Sequence, residues 1–145
     1  MYRLSVRHNF ETAHRFSHPD SAQKCQSIHG HSWWAEVWLD GSELDERGLL
    51  IEFGVYKKAW RELIDGQLDH HLLLNEADPV LGPIVEVIGG CRITTFPFEP
   101  TTENVARWLF ERSAELLDQV APDCGMKVVK VRVDETGVNA IEYTG

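Results

Sequence analysis

The sequence predicts an α+β protein in which two helices cover one face of a four-stranded antiparallel sheet. A hydrophobic period of two, typical of half-buried strands, runs through residues 2–16, 29–40 and 126–135. A spacing of three and four between apolar residues, typical of helices, runs through residues 53–68 and again after Pro100. Together these patterns predict a sheet with one covered face and one open face.

The first two predicted strands carry histidines on their apolar faces. His14 lies near the end of the first strand, on the same face as its apolar residues. His29 and His31 begin the apolar face of the second strand. The opposite face of the second strand carries Trp34 and Trp38, which are large for a solvent-exposed surface. We therefore expect this second face to pack against something, such as another subunit.

The middle of the chain is less regular. Residues 17–21 contain turn-forming residues and predict a loop that leads to Cys25. Residues 49–51 predict a short strand end before the first helix. Short apolar runs on both sides of the Gly89–Gly90 pair, at 84–88 and 91–98, predict an accessory hairpin.

The last part of the chain predicts one helix and two strands. The helix begins after Pro100, where threonines can cap it, and runs to about Val120. In the strand over residues 126–135 we expect three valines to share the buried face: Val129, Val131 and Val133. Residues 140–143 predict the final strand.

Composition narrows the possible functions. A length of 145 residues predicts one domain, residues 1–145. The formal net charge of −9 argues against nucleic acid and anionic membranes as partners, because both require a basic surface. The three cysteines, Cys25, Cys91 and Cys124, show no disulfide framework, which favours a reducing compartment. Without an apolar segment of signal-peptide or membrane-helix length, we expect a cytoplasmic location.

Three histidines form a candidate metal site. His29 and His31 point to the same side of a strand, with Cα atoms roughly 6.6 Å apart, and His14 can supply a third imidazole. Three protein ligands with one open position are typical of catalytic zinc. Cys25 is near enough to be either a fourth ligand or a thiolate base, and the residues alone leave both open. Asp69 and His70 place a carboxylate beside an imidazole after the first helix, where on their own they favour a helix cap.

Five motifs occur in order between residues 10 and 136: Phe10-x-x-Ala13-His14, Cys25-x3-His29-Gly30-His31, Leu68-Asp69-His70-x-x-Leu73-x-Asn75, Pro100-Thr101-x-Glu103-Asn104 and Glu135-Thr136. Together they resemble the 6-pyruvoyltetrahydropterin synthase / 6-carboxytetrahydropterin synthase family. The three-residue gap between Cys25 and His29 resembles the bacterial 6-carboxytetrahydropterin synthase branch of queuosine biosynthesis, because animal pyruvoyl enzymes use a longer gap. The chain departs from the family at Glu52, where an aspartate is usual, and in a long segment at 76–98.

The resemblance implies a tunnelling fold, in which trimers close a β-barrel and two trimers often stack into a hexamer. It implies Zn²⁺ held by His14, His29 and His31. It also implies conversion of 7,8-dihydroneopterin triphosphate to 6-carboxytetrahydropterin, acetaldehyde and triphosphate, the lyase step that leads to queuosine or other 7-deazapurines.

The resemblance further implies a role for each site residue. Cys25 would be the thiolate base, and Asp69 would orient His70, which shuttles protons. Glu135 would anchor the pterin ring through its N–H groups. The other residues expected to help bind the substrate are Thr101, Thr102 and Glu103.

Other functions stay open on the sequence. The nearest is 6-pyruvoyltetrahydropterin formation, which shares the catalytic residues. A zinc-stabilised, non-catalytic protein with Cys25 as fourth ligand belongs to another class. A generic zinc hydrolase is disfavoured because the His-Glu-x-x-His pattern is absent.

The remaining basic residues near these motifs also have expected roles. Arg15 and Lys24 are the candidates for contact with the triphosphate. Three histidines are interpreted as surface or packing residues: His8, His18 and His71.

Overall fold

A computed structural model describes residues 1–145. The strands are β1 (Tyr2–His14), β2 (His29–Gly41), β3 (Leu72–Asn75), β4 (Ile93–Phe96), β5 (Lys127–Asp134) and β6 (Ala140–Tyr143). The helices are α1 (Gln23–Gln26), α2 (Phe53–Gln67), α3 (Leu81–Ile88) and α4 (Thr102–Val120). All six strands form one sheet in the order β4-β3-β1-β2-β5-β6. None of the helices has the length and apolar character needed to cross a membrane.

Helices α2 and α4 pack on one face of the sheet, as the helical spacing predicts. Tyr56 and Trp60 of α2, Leu109 of α4 and Trp33 of β2 are all fully buried in one hydrophobic core. Burial of each such large side chain stabilises the fold by about 1.5–3 kcal/mol. The core thereby fixes the strand ends that carry the site.

The second face of the sheet lies opposite α2 and α4. There the Arg7 guanidinium lies 4.2 Å from the ring centroid of Trp34. The Lys130 ammonium lies 3.9 Å from the ring centroid of Trp38. These cation–π contacts cover the indoles only partly, and Trp34 remains 39% exposed. The expected open face is therefore present, with its tryptophans held by cations.

The predicted sheet is incomplete. Antiparallel pairing of β1 with β2, β2 with β5, and β5 with β6 gives the four expected strands. Two further strands pair in parallel, β3 with β1 and β4 with β3, which makes the sheet mixed. Each extra strand has only four residues, too few for a period of two to stand out.

The predicted hairpin around Gly89 is wrong, because residues 84–88 belong to helix α3. Pro83 lies in the first turn of α3, where a missing backbone N–H costs nothing. Gly89 has a φ of 78° and ends the helix, and its N–H donates to the Val85 carbonyl. A short apolar run does not distinguish a strand from a helix, and here the helix links two parallel strands.

Two smaller predictions are also wrong. Residues 49–51 form no strand. They follow a turn over residues 45–49, in which the Asp45 carboxylate accepts the N–H groups of Arg47 and Leu49. In β5, a bulge opposite Trp38 and Leu39 shifts the register, so Val128 rather than Val129 packs against the core. A bulge adds one residue to one strand and turns the following side chains to the other face.

Candidate metal centre and active-site cavity

Pairing of β1 with β2 brings the three predicted histidines together. In this antiparallel register His14 lies opposite His29, and Thr12 lies opposite His31. The ring centroid of His14 lies 4.5 Å from that of His29 and 5.3 Å from that of His31. One ring nitrogen from each histidine lies within 4.8 Å of the others. The alternating pattern therefore predicts the cluster correctly.

Hydrogen bonds to backbone carbonyls fix the tautomers of His14 and His29 in the form that can bind a metal. His14 Nδ1 is 2.8 Å from the carbonyl oxygen of Pro100, and His29 Nδ1 is 2.8 Å from that of Ser27. A carbonyl oxygen only accepts, so each Nδ1 carries the proton and each Nε2 keeps its lone pair. His14 Nε2 is buried and has no hydrogen-bond partner. A buried nitrogen of this kind suits a metal ion, with the carbonyls orienting the rings.

The charge state of His14 also suits metal binding. Burial lowers the pKa of His14 to about 4, and the nearby rings of His29 and His31 add to this effect. The hydrogen bond to Pro100 and the carboxylate of Glu135 act in the opposite direction but do not offset burial. His14 is therefore neutral at physiological pH, the form that ligates metals.

Glu135 faces the histidine cluster from the end of β5. Its Oε1 atom is 3.6 Å from His14 Nε2 and 4.0 Å from His31 Nε2. The hydroxyl of Thr102, in the first turn of α4, donates to the same oxygen at 2.8 Å. This carboxylate is therefore held at the cluster, where it can accept hydrogen bonds from the N–H groups of a ligand.

A cavity of about 770 Å³ opens beside the cluster. This volume is within the range of roughly 300–1,000 Å³ found for small-molecule sites. Its walls are formed by Phe16, Lys24, Cys25, Ser27, His29, His31, Thr101, Thr102, Glu103, Glu135, Thr136 and Asn139. The structure thus brings the predicted base, two of the predicted metal ligands and all the predicted substrate-binding residues into one cavity.

Cys25 is placed in the cavity by the short helix α1. Its backbone N–H donates to Ala22, and its carbonyl oxygen accepts from Phe16 N–H at 2.8 Å. The thiol is free and partly exposed. The group of side chains close enough to share a metal contains the three histidines without Cys25. This grouping favours an open metal site over a closed one.

The Asp69–His70 pair lies outside this cavity. His70 Nδ1 is 2.7 Å from Asp69 Oδ2, while Asp69 Oδ1 accepts the backbone N–H of Glu11 at 2.9 Å. The side chain of His70 is 73% exposed and borders a second, open cavity on the other side of His31. Neither side chain caps α2, so the helix-cap interpretation is wrong. Within one protomer the pair does not meet Cys25.

His70 has a φ of 57°, a left-handed conformation that is unfavourable for a residue with a Cβ atom. It is held there by a hydrogen bond of 2.6 Å from its own N–H to the Glu11 carbonyl. The Thr12 hydroxyl donates to the next carbonyl, that of His71, at 2.7 Å. Strand β1 therefore fixes the direction in which the imidazole projects.

Of the two candidates for a phosphate contact, only Lys24 lines the cavity. Arg15 instead pairs with the buried carboxylate of Asp78, with 2.9 Å between Nε and Oδ2.

His8 pairs with Asp65 on the outside of the fold. His71 is buried and bonded to Thr94, which is a packing role.

Sequence reasoning missed two residues of this region, Asn139 and Glu99. Asn139 lines the cavity because the turn at Thr136 folds it back, its carbonyl oxygen accepting Glu135 N–H. The signal for this turn is the Thr-Gly-Val-Asn segment, in which the Thr136 hydroxyl accepts two backbone N–H groups. Glu99 carries no signal of its own, since its partners lie far away in the sequence.

The fold and site define an α+β protein with a candidate three-histidine metal centre that opens into a ligand-sized cavity. The model of the 6-pyruvoyl tetrahydropterin synthase family matches residues 3–145. The chain belongs to this family, and the resemblance carried by the five motifs is confirmed.

Curated relatives cover nearly the whole chain. The 6-carboxy-5,6,7,8-tetrahydropterin synthase of Rickettsia typhi is 30% identical over 94% of this chain and 95% of its own. The enzyme of the same name from Aquifex aeolicus is 28% identical over 98% and 97%. That from Bacillus subtilis is 30% identical over 98% and 84%.

Solved structures show the same fold. An uncharacterized protein from Wolinella succinogenes superposes with a TM-score of 0.79 at 23% identity, over 99% of this chain and 98% of its own. The 6-pyruvoyl tetrahydropterin synthase of Caenorhabditis elegans superposes with a TM-score of 0.67 at 23% identity, over 99% and 95%. At these identities the likeness concerns the fold alone.

Proposed function

We propose that this protein is a zinc-dependent 6-carboxy-5,6,7,8-tetrahydropterin synthase. It converts 7,8-dihydroneopterin triphosphate to 6-carboxytetrahydropterin, acetaldehyde and triphosphate, as a carbon–carbon lyase. The names of the curated relatives support this reaction. The observation that carries it is the meeting of Cys25, His29, His31 and Glu135 in one cavity.

His14, His29 and His31 would hold the zinc. Zn²⁺ bound there would supply Lewis-acid polarisation to oxygen atoms on the side chain of the substrate. The chain contributes the orientation of the ligands, since the carbonyls of Pro100 and Ser27 turn two Nε2 atoms to the metal. Burial keeps His14 neutral and therefore ready to bind.

The other cavity residues bind the pterin and move its protons. Glu135, held by Thr102, accepts hydrogen bonds from ring and amino N–H groups and so anchors the pterin. Cys25 lines the same cavity from α1 and acts as the thiolate that removes a proton from the substrate side chain. Thr101 and Glu103, at the start of α4, complete the pterin subsite.

The remaining catalytic pair, Asp69 and His70, would act from a neighbouring copy of the chain. His70 is exposed, oriented by Asp69, and absent from the cavity of its own protomer. A homo-oligomer, either a trimer or a hexamer, would bring it to a second protomer and cover the open face around Trp34. The copies would pair through the sheet edges at β4 and β6.

The chain would work as a single catalytic domain, residues 1–145, in the cytoplasm. Its three free cysteines suit a reducing compartment. The product would feed queuosine or another 7-deazapurine. The net charge of −9 argues against a nucleic-acid partner, which requires a basic surface.

The second candidate is 6-pyruvoyltetrahydropterin synthase. The description of the family model, 6-pyruvoyl tetrahydropterin synthase, favours it. The same cavity residues would serve both reactions, which differ in whether a carbon–carbon bond is cleaved after triphosphate leaves.

The test is to incubate zinc-loaded protein with 7,8-dihydroneopterin triphosphate and to identify the pterin by mass spectrometry, with a hydrazine present to trap aldehyde. 6-Carboxytetrahydropterin with trapped acetaldehyde supports the proposal. 6-Pyruvoyltetrahydropterin without aldehyde assigns the second candidate. An unchanged substrate in the presence of bound zinc rejects both and favours a non-catalytic zinc protein.

A further inference from the structure

We propose that Glu99 is a positioning residue that latches the thiol loop, residues 17–26, against the segment that begins α4. The thiol loop contains α1 and carries Cys25. Glu99 does not line the cavity, so it acts through the loop and does not touch the ligand. This role uses a carboxylate that the proposed mechanism leaves without a function.

Two hydrogen bonds form the latch. Glu99 Oε2 accepts the backbone N–H of Ser17 at 2.7 Å, and Oε1 accepts the Ser17 hydroxyl at 2.5 Å. The two residues are 82 positions apart in the sequence. No other hydrogen bond of a side chain joins the thiol loop to a distant part of the fold. A carboxylate acceptor makes such bonds about twice as strong as neutral ones.

The loop transmits the position of Ser17 to Cys25. Phe16 N–H donates to the carbonyl oxygen of Cys25 at 2.8 Å, which closes the base of the loop beside Ser17. Inside the loop, the Gln26 side chain donates to the Ser21 carbonyl at 2.7 Å. Because the loop is bonded internally, fixing Ser17 restricts the thiol as well.

Glu99 is itself held on both sides. The Asn75 amide, at the end of β3, donates to Oε1 at 3.1 Å. The Asn104 amide and the Thr101 backbone N–H donate to the Glu99 carbonyl oxygen, at 3.0 and 2.8 Å. The next carbonyl, that of Pro100, holds the His14 ring. One short segment therefore positions both a metal ligand and the loop that carries the thiol.

The experiment compares Glu99→Ala, Glu99→Gln, Ser17→Ala and the Ser17→Ala/Glu99→Ala double variant. Glu86→Gln is the matched control, because Glu86 is an exposed glutamate on α3 with no partner. The structural readouts are hydrogen exchange of the loop amides and the rate at which iodoacetamide alkylates Cys25, with Cys124 as the internal reference. Bound zinc and thermal unfolding are measured on each variant.

We expect Glu99→Ala to speed loop exchange and Cys25 alkylation about tenfold, which is the size of effect that loss of a charge-assisted hydrogen bond has. Ser17→Ala should act in the same direction but less strongly, because the backbone N–H at position 17 still donates to Glu99. The double variant should be no faster than Glu99→Ala, because that single variant already removes both bonds of the latch. Glu99→Gln should fall between wild type and Glu99→Ala, because one amide oxygen still accepts. Zinc content and Cys124 alkylation should not change.

Additive effects in the double variant, or wild-type exchange and alkylation in Glu99→Ala, would overturn the proposal. A general loss of folding in Glu99→Ala would appear as faster Cys124 alkylation, and Ser17→Ala then decides the question. Only one readout rests on the proposed function: a fall in kcat larger than any rise in KM. If the wild type shows no turnover, the proposed function fails while the structural readouts still test the latch.

Discussion

The ring of His14 is joined to the carbonyl oxygen of Pro100, 86 positions away, by a hydrogen bond of 2.8 Å from Nδ1. The bond fixes the tautomer, so the lone pair on Nε2 faces His29 and His31. Pro100 precedes α4, whose first residues also line the cavity. The candidate metal centre and the adjoining cavity therefore share one structural support.

Replacing His14 should remove the metal. We expect His14→Ala to weaken zinc binding by more than about 100-fold, because even an outer-shell partner of a ligand is worth 10- to 100-fold. Zinc titration against a competing chelator measures this. His8→Ala, which changes a histidine on the same strand that pairs with Asp65, is the control and should bind zinc like the wild type. Equal affinity in both variants would place the metal elsewhere.

Replacing Cys25 separates the enzyme from a zinc-stabilised protein. We expect Cys25→Ala to keep one zinc per chain and to lower turnover by roughly 10²- to 10⁴-fold, the contribution of a general base. Zinc content and initial rates are measured on the same preparation. Cys91→Ala, at an exposed cysteine, should leave both unchanged. Loss of zinc or of folding in Cys25→Ala would show that the thiol is a fourth ligand.

The long strands and their histidines could be predicted because their physical signal is local. Strands β1 and β2 each have thirteen residues, and apolar residues alternate with polar ones along them. This hydrophobic period of two predicts which residues share a face of the sheet. It therefore places His14, His29 and His31 on the side of the core. The register that brings His14 opposite His29 follows from one antiparallel pairing.

The remaining features depend on contacts between distant residues. Strand β3 is buried between two parallel neighbours, and helix α3 is an apolar run that suits either structure. The bulge that turns Val129 from the core arises only where β5 pairs with β2. Glu99 acquires a role through Ser17, and the direction of His70 is set by Glu11. No local pattern reports such contacts.

Lys24 is expected to contact the phosphates of the substrate, because it is the only lysine or arginine among the residues that line the cavity. Two carboxylates, Glu103 and Glu135, line the same cavity, and Lys24 forms no ion pair with either. We expect Lys24→Gln to raise KM for the triphosphate about tenfold, equivalent to roughly 1.4 kcal/mol. Binding of 7,8-dihydroneopterin, which has no phosphate, should not change.

The control for Lys24 is Lys58→Gln, on the exposed side of α2, where the lysine faces Glu62. It should have the KM of the wild type. An equal loss of affinity for both ligands in Lys24→Gln would contradict a phosphate contact and indicate a role in holding α1.

Co-expression tests whether His70 acts in a neighbouring copy. We expect Cys25→Ala and His70→Ala to be inactive alone and to recover about a quarter of wild-type activity when co-expressed in equal amounts. A complete site then needs an intact Cys25 in one copy and an intact His70 in the next, each with a chance of one half. Native mass spectrometry verifies the mixed oligomers. Mixed oligomers without activity would show that both residues serve the same protomer.

The latch at Glu99 should open at low pH. Partial burial acts to raise the pKa of Glu99, but the hydrogen bonds from Ser17 and Asn75 outweigh it and hold the pKa below its ordinary value of 4.5. The nearby His18 also favours the charged form. A lowered pKa stabilises the folded loop above 4.5, and this contribution is lost as the pH falls through the lowered pKa.

Hydrogen exchange across the thiol loop, corrected for the intrinsic rate at each pH, measures this loss. Protection should be constant at neutral pH and fall below pH 4.5 in the wild type. Glu99→Gln has no carboxyl group there and should show no step in this range. A step of the same size in both proteins would assign the opening to another group.

The most direct test of the central claim is a zinc anomalous-difference map from crystals of the zinc-loaded wild type soaked with 7,8-dihydroneopterin. We expect one peak at about 2.0–2.1 Å from a ring nitrogen of each of His14, His29 and His31. The pterin ring should lie in the adjoining cavity, hydrogen-bonded to Glu135. A peak that also has the Cys25 sulfur at about 2.3 Å, with no room for a ligand, would contradict the claim of an open catalytic centre.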